Sequence, residues 1–245
     1  MSAEWWSQLF VDMSPAAFFN FKFLPKYANA FIEGVEYTLL LAVVSVLIAI
    51  IPALVLALMR LSKNRLIKGI SGAYIAVFRS TPLLVQLSIV FFGLFAKFNP
   101  RITLFGFLTL DTFIPCCVAL ALNSSAYVAE IFRAGILAVD AGQMEAARSL
   151  GLSKWQGMKL VVLPQAIKNV LPALANEIVT MVKESSICSV LGIMDLMFVA
   201  KNTATVTMVT LGPYTLAALI YFAINFPAGK AIEAIERRMR RGDQR

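Results

Sequence analysis

The sequence predicts an all-α integral membrane protein with five transmembrane helices, and three observations support that prediction. Of the 245 residues, 59% are hydrophobic and only 15% are charged, with a mean hydropathy of +0.77. Soluble domains carry about 45–50% apolar and about 25% charged residues. The apolar residues form long runs, and the basic residues are concentrated between alternate runs. Lipid is therefore the expected environment of this chain.

Five apolar runs are long enough to cross a membrane, which requires about 20 mostly apolar residues. The predicted spans cover about residues 31–59, 69–96, 112–132, 170–197 and 213–227. They form one transmembrane domain over residues 31–241, which contains a long loop at 134–169 and leaves a short tail at 242–245. No alternating strand pattern is present, so a membrane barrel is not predicted. No clear internal repeat is visible, which disfavours an inverted-repeat secondary transporter.

The first 30 residues are expected to be extracytoplasmic or interfacial. Their first charges are acidic, Glu4 and Asp12, and no apolar core follows at once, so a secretory signal is not predicted. Aromatic side chains such as Trp5, Trp6 and Phe18 suit the membrane–water interface.

The distribution of basic residues predicts the orientation of the chain. Most of the 22 lysines and arginines lie in the segments 60–68 and 133–168 and in the tail from residue 230. Cytoplasmic loops carry an excess of Lys and Arg. We therefore expect the N-terminus outside and the C-terminus in the cytoplasm.

The residue inventory argues against catalysis by this chain. There is no histidine, which removes the commonest general base and metal ligand. Cys116, Cys117 and Cys188 lack CxxC spacing and are expected to be buried apolar residues, so no catalytic or metal site is predicted. The sequence around Gly229 and Lys230 does not fit a phosphate-binding loop. Nucleic-acid binding is not expected either, because the cations flank apolar runs instead of forming one patch.

The loop between the third and fourth spans carries the sharpest motif. Good helix formers run from Glu145 to Leu150, Gly151 is a natural helix stop, and Ser153 can cap a second short helix. Pro164 is expected to break that second helix before the next span. The sequence therefore predicts two short helices on the cytoplasmic face.

This loop resembles the signature loop of permease subunits of bacterial ABC importers, the Glu-Ala-Ala motif followed by Gly and Leu-Pro at fixed spacing. Val161 stands where that family prefers isoleucine. The resemblance implies the type I importer permease fold and an ATPase-coupling helix in this loop. The matching positions are Glu145, Ala146, Ala147, Gly151, Leu163 and Pro164.

Three further segments are similar to the permeases of polar amino acid importers for histidine, glutamine, arginine or glutamate. The first is 79–86, where Ser80 replaces the usual glycine. The second is 126–135, where Ala134 departs from the pattern, and the third is 182–186, where Glu184 replaces aspartate. The resemblance covers about residues 31–241.

Polar residues inside the spans are candidates for a substrate pathway, because ionisable groups in a bilayer normally face a cavity or a partner. Lys183 and Glu184 could bind the two charges of a zwitterion, or they could pair with a second subunit or reach water. Asn123 and Tyr127 could line the pathway, or they could join helices as small polar groups do in bilayers. The candidate set is Arg79, Thr81, Gln86, Asn123, Tyr127, Lys183, Glu184 and Ser185.

Taken together, these features predict a non-catalytic permease subunit in the bacterial inner membrane that imports a polar amino acid. The resemblance implies two ATPase subunits that hold ATP and magnesium, a second permease subunit, identical or homologous, and a periplasmic amino-acid-binding protein. No cofactor is expected on this chain. The alternatives are an ion-coupled secondary amino acid transporter or channel, and a membrane enzyme, which the missing nucleophile–base set disfavours. The sequence does not identify the amino acid.

Overall fold

The computed structural model describes residues 18–98, 100, 102–104 and 106–241. Most of the predicted interfacial segment, including Trp5 and Trp6, and the last residues of the tail, 242–245, lie outside the described residues. Nine α-helices and one short hairpin make up the regular structure of the described ranges. The α-helices are α1 (Leu24–Leu61), α2 (Arg65–Ser80), α3 (Leu83–Ile89), α4 (Leu110–Leu137), α5 (Ala141–Ser149), α6 (Lys154–Gly157), α7 (Leu163–Glu184), α8 (Leu196–Thr207) and α9 (Leu211–Arg241).

Short irregular helices and a hairpin complete the chain. π-Helical turns follow α3 at Val90–Leu94 and precede α7 at Met158–Val162, and a 3-10 helix follows α7 at Ser185–Leu191. Strands β1 (Thr103–Leu104) and β2 (Leu108–Thr109) pair antiparallel, with Thr103 opposite Thr109. Gly106 lies between them with φ +80, a left-handed conformation that glycine adopts without strain.

Four helices are long and apolar enough to cross a membrane in the described part of the chain. They are α1, α4, the continuous helix Lys154–Leu191 and most of α9, Leu211–Met239. The pair α2 and α3, bent by 109° between Ser80 and Leu83, makes a fifth span if the pair is counted as one. The prediction of an all-α membrane protein is confirmed. The helices extend beyond the predicted spans at several ends. The added turns contain polar as well as apolar residues, so the apolar runs alone do not mark where the helices end.

The bend between α2 and α3 lies at Pro82. Thr81 has extended backbone angles, φ −111 and ψ 145, and Pro82 follows as the N-cap of α3. Proline has no N–H to donate and disfavours helical geometry in the residue before it. Arg79 therefore lies at the end of α2 instead of in the middle of one straight span.

The expectation that Pro164 breaks the helix is wrong. Pro164 lies in the first turn of α7, and one continuous helix runs from Lys154 to Leu191. The π-turn before it bonds the Leu163 N–H to the Met158 carbonyl, five residues back. This widened turn makes room for the proline ring without ending the helix.

The helix that was predicted over 170–197 stops before its expected end. Gly192 has φ +82, which ends the 3-10 helix, and α8 begins at Leu196 as a separate helix. Asp195 caps α8 by accepting a hydrogen bond from the Phe198 N–H at 2.8 Å. The side-chain cap explains why the chain restarts as a new helix at this point.

Helix α4 is the most buried of the spanning helices and lies at the centre of the bundle. Its Cys116, Cys117 and Leu120 pack in one apolar cluster with Leu41 of α1 and Met181 of α7. Cys116, Cys117 and Cys188 are all free and buried, as expected for small apolar residues. α1 in contrast exposes a row of large apolar side chains, including Leu47, Ile51 and Leu58. Three consecutive polar residues of α4, Asn123, Ser124 and Ser125, are buried among neighbouring helices.

Candidate functional sites: a polar groove and a helical loop

Three adjoining cavities form a polar groove along α2, α4, α7 and α9. Cavity A, of about 420 Å³, and cavity B, of about 480 Å³, share Arg79 and Glu130 in their walls. Cavity B and cavity C, of about 540 Å³, share Ala138, Asn169 and Ala173. The other charged or amide groups of the groove are Arg60 in cavity A, Glu177 in B, and Lys168, Asn176, Glu233 and Glu236 in C. The groove therefore brings charged and amide side chains together along four helices of an apolar protein.

Arginines neutralise Glu130 between cavities A and B. Arg133 donates from Nε and Nη2 to Oε2 of Glu130, at 2.8 and 2.7 Å. The Nε atom of Arg60 lies 3.7 Å from the other carboxylate oxygen. Both Arg133 donors converge on one oxygen, and charge-assisted hydrogen bonds of this kind are stronger than neutral ones. The negative charge of Glu130 is therefore already matched within the protein.

Arg79 faces the groove with its charge available. Its guanidinium lies over the ring of Tyr127, 5.3 Å from the ring centroid. A cation over an aromatic face is held electrostatically while it stays able to accept an anionic partner. Because Arg60 and Arg133 contact Glu130 directly, Arg79 is the cation that cavity B presents to a ligand.

Glu177 of α7 supplies a carboxylate in the wall of cavity B. It is half-buried, and one of its oxygens accepts a hydrogen bond from the Ser124 hydroxyl at 2.8 Å. A neutral donor satisfies a lone pair without cancelling the charge. Cavity B is therefore lined by a guanidinium, a carboxylate and an aromatic ring.

Three other candidate residues hold the bend between α2 and α3 instead of lining the groove cavities. The Gln86 amide donates to the Phe78 carbonyl (2.8 Å), the Thr81 carbonyl (3.0 Å) and the Thr81 hydroxyl (2.7 Å). The Asn123 amide donates to Oε1 of Gln86 at 2.8 Å and to the Phe78 carbonyl at 3.3 Å. Gln86 and Asn123 are buried, with 7% and 4% of their surface exposed.

The segment Lys183–Ser185 lies away from the groove. Lys183 is exposed and lines a separate cavity of about 390 Å³ with Tyr214 and Tyr221. Glu184 is half-buried, and Ser185 is fully buried with its hydroxyl bonded to the Val182 carbonyl at 3.0 Å. The structure thus brings together Arg79 and Tyr127 of the predicted set and separates them from Lys183.

Sequence reasoning missed several groove residues. Asn169, Asn176, Glu233 and Glu236 lie in amphipathic turns next to the apolar runs, where polar residues are expected on any solvated face. One signal was available for Glu130, because Tyr127 and Arg133 stand three residues on either side and so share its helix face.

The loop at 134–169 contains one separate short helix, α5, followed by α6, which is the start of the continuous helix Lys154–Leu191 and not a second separate helix as predicted. Gly151 has φ +83, its N–H bonds to the Arg148 carbonyl, and the Leu152 N–H bonds to the Ala147 carbonyl, which together form a Schellman ending of α5. Ser153 and Gln156 then cap α6 reciprocally, at 3.2 and 2.7 Å. Both helix ends are therefore fixed by local hydrogen bonds.

The outer surface of this loop is open. Ala147 is buried against Gly157, where an added Cβ would lie 2.9 Å from the sulfur of Met144. In contrast, Glu145, Ala146, Gly151, Leu163 and Pro164 are exposed. Leu150 and Trp155 are 83% and 73% exposed. Large apolar side chains on a rigid, solvent-facing loop are typical of a protein-binding surface.

Comparison with known proteins agrees with the resemblance. A family model described as "Binding-protein-dependent transport system inner membrane component" matches residues 45–241. The Arginine transport system permease protein ArtQ of Bacillus subtilis (strain 168) is 43% identical over 212 residues, which cover 86% of this chain and 93% of that protein.

Solved structures show the same fold. An amino acid ABC transporter crystallised with histidines contains a chain that is 46% identical, with a TM-score of 0.77 over 88% of this chain and 96% of that one. A methionine ABC transporter in inward facing conformations is 19% identical, with a TM-score of 0.64 over 84% of this chain and 95% of that one. At that identity the likeness concerns the fold alone.

Proposed function

Because this chain belongs to the family of binding-protein-dependent transport system inner membrane components, we propose that it is the permease subunit of an ABC importer for a polar amino acid. ATP and magnesium are held by two separate ATPase subunits. A second permease subunit, identical or homologous, completes the pathway, and a binding protein delivers the amino acid from outside. The chain itself is a transport subunit without a catalytic centre.

One structural observation carries this proposal: the exposed α5–α6 loop is joined without a break to a groove-lining span. The helix Lys154–Leu191 has 38 residues, which is about 57 Å at 1.5 Å per residue. Its first turn belongs to the loop, and further along it carries Asn169 and Glu177 in the groove wall. A force applied at α6 is therefore transmitted to the groove by one rigid element.

The loop is the proposed ATPase-coupling site. Glu145 and Ala146 present a charged and a small residue on exposed α5, and Leu150 and Trp155 present apolar surface beside them. Gly151, Leu163 and Pro164 set the shape of the loop, while Ala147 packs inward. Movement of an ATPase subunit docked here would shift α7 relative to α4 and so open or close the groove.

Cavity B is the proposed contact site for the amino acid. A zwitterion needs an anion-binding and a cation-binding group, and Arg79 and Glu177 offer these in the wall of one cavity, together with Tyr127. Charge-assisted hydrogen bonds to both ends would favour an amino acid over a neutral solute. Lys183, Glu184 and Ser185 remain candidates for a separate contact at the other end of α7.

The proposed orientation follows the basic residues. The loop 133–168 and the tail beyond residue 230 would face the cytoplasm, where the ATPase is. The hairpin β1–β2 and helix α8 would then face the outside and the binding protein. The membrane is the bacterial inner membrane.

The test is uptake by proteoliposomes that contain this chain with its ATPase and its binding protein. Glu145→Gln and Gly151→Ala should uncouple the system: uptake of labelled amino acids falls while the ATPase still hydrolyses ATP. Alanine at 151 would be strained by the positive φ, and glutamine at 145 removes the charge. Glu36→Gln, at an exposed carboxylate in the fourth turn of α1, is the matched control and should transport normally.

Two results would overturn the proposal. Uptake that proceeds without nucleotide would identify an ion-coupled secondary transporter or channel. Uptake that is unchanged in both loop variants would remove the coupling role of this loop.

A further inference from the structure

The bend at Pro82 leaves helix α2 with carbonyl groups that have no partner in the next turn. The last four carbonyls of any α-helix lack intrahelical donors, and buried ones cost free energy if they stay unbonded. Here the Thr81 hydroxyl donates to the Val77 carbonyl at 2.8 Å. The Phe78 carbonyl receives hydrogen bonds from Gln86 of α3 and Asn123 of α4. The end of α2 is therefore held by side chains of both helices that follow.

Gln86 and Asn123 form one unit, called here the amide clip. The Asn123 amide donates to Oε1 of Gln86 at 2.8 Å, which orients the Gln86 amide toward Phe78 and Thr81. Both residues are buried, so these hydrogen bonds are shielded from competition with water. Loss of either member would leave a buried polar atom of the other without its partner.

Two residues of α4, one helical turn apart, contact two successive residues of α2. Asn123 bonds the backbone of Phe78, and Tyr127, four residues later on the same face, lies under the guanidinium of Arg79. The side chain of Arg79 can lie over Tyr127 only if the backbone at 78–79 is kept against α4. Tyr74 bonds α4 one turn earlier, through the Leu122 carbonyl and the Ser125 hydroxyl, and the clip extends that constraint to the last turn of α2, beyond which the helix does not continue.

We propose that Gln86 and Asn123 are positioning residues that fix the broken helix so that Arg79 presents its guanidinium to the polar groove. The proposal rests on the proposed function, in which Arg79 meets the carboxylate of the amino acid. Gln86 and Asn123 themselves do not touch the cargo. Their contribution to transport passes through Arg79, which sets this role apart from that of a residue that only stabilises the fold.

The first experiment measures the position of Arg79 without any transport. The protein is labelled with [15N]arginine in detergent, and the Nε resonance of Arg79 is assigned by its loss in Arg79→Gln. Tyr127→Leu should remove the ring-current shift of that resonance. Asn123→Leu and Gln86→Met, which keep the side-chain volume but lack the amides, should remove it to the same extent. Ser88→Ala, which deletes a local hydrogen bond to the Leu84 carbonyl in α3, should leave it in place.

The second experiment compares single and double variants in uptake of a radiolabelled amino acid mixture by the complete transporter. Arg79→Gln and Asn123→Leu should each lower the initial rate about tenfold, the loss expected when one buried hydrogen-bonded contact is removed. The double variant should be no slower than Arg79→Gln alone, because residues that act through one another are not additive. Ser88→Ala should transport at the native rate.

The results separate this proposal from the proposed function. An unchanged Arg79 resonance in both clip variants, or losses of rate that multiply in the double variant, would overturn the positioning role. Native proteoliposomes that take up no amino acid would overturn the proposed function, while the resonance of Arg79 would still decide whether the clip positions it. If one clip variant fails to insert, the other provides the same measurement.

Discussion

Ser124 of α4 donates a hydrogen bond to Glu177 of α7, with 2.8 Å between the hydroxyl and carboxylate oxygens. This contact joins two spanning helices in the wall of cavity B, and Ser124 itself is fully buried. The serine fixes the direction of the carboxyl group with a neutral donor. The Glu177 carboxyl is thus held in a fixed direction, in the wall of the cavity that Arg79 also lines.

The first prediction concerns the charge of Glu177. Glu177→Gln keeps the shape and the hydrogen bond from Ser124 but removes the anion that would bind the amino group of the cargo. We expect the initial uptake rate of proteoliposomes to fall about tenfold, the size of one lost charge-assisted contact. ATP hydrolysis stimulated by the binding protein should continue, because Glu177 is not part of the α5–α6 loop.

Ser124→Ala is the companion variant for Glu177. It keeps the charge and loses only the orienting hydroxyl, so its uptake should lie between those of the native protein and Glu177→Gln. Native uptake by Glu177→Gln would remove this carboxylate from the pathway.

The second prediction concerns the packing of α4 against α7 at Gly135. A Cβ atom at position 135 would clash with Cγ2 of Val170 and lie 3.4 Å from the Ala166 carbonyl. Overpacking of this kind costs about 1–3 kcal/mol. We therefore expect Gly135→Ala to lower the thermal unfolding temperature in detergent, and Val170→Ala in the same chain to restore part of the loss.

Gly69 offers the matched control for Gly135. It lies in exposed α2 with open space around its Cα, so Gly69→Ala should be neutral or stabilising by up to about 1 kcal/mol. Equal unfolding temperatures for the two alanine variants would show that the close approach of α4 and α7 does not matter for stability.

The features that the sequence predicted correctly are those set by local chemistry. The apolar runs predict spanning helices because bilayer thickness alone fixes their length. The end of α5 and the start of α6 follow from Gly151 and Ser153, whose roles depend on their own backbone and near neighbours. The bend at Pro82, in contrast, depends on more than the proline, because Pro52, Pro115, Pro172 and Pro227 lie inside helices that continue past them.

The features that depend on neighbouring helices could not be predicted in the same way. A polar residue in an apolar run needs a hydrogen-bond partner. The sequence of the run does not show whether the side chain lines a cavity or bonds a backbone carbonyl of another helix. Gln86 and Asn123 bond carbonyls at the end of α2, and they do so only because the chain turns by 109° there. The predicted helix break at Pro164 is wrong for a related reason, because the π-turn before it makes room for the proline ring.

The last prediction concerns the pH dependence of stability, and it rests on Asp195, in the connection between the end of the Lys154–Leu191 helix and α8. Its side chain is fully buried, one oxygen accepts the Phe198 N–H, and the other has no hydrogen-bond partner among the described residues. Burial, which disfavours the charged form, raises the pKa of this carboxyl from 3.8 to about 7. The folded protein therefore holds a proton that the unfolded chain releases at much lower pH.

The sign of the effect follows from this proton. Between about pH 4 and pH 7 the folded state binds more protons than the unfolded state, so the free energy of unfolding falls as the pH rises and levels off above about 7. We expect the thermal unfolding temperature of the purified protein to decrease from pH 5 to pH 8. Asp195→Asn keeps the cap on α8 through its side-chain oxygen but cannot ionise, so its unfolding temperature should change less over that range. The difference between the two proteins isolates Asp195 from the other carboxylates, and parallel curves for both would contradict the prediction, because the buried carboxyl would then ionise alike in the folded and unfolded chain.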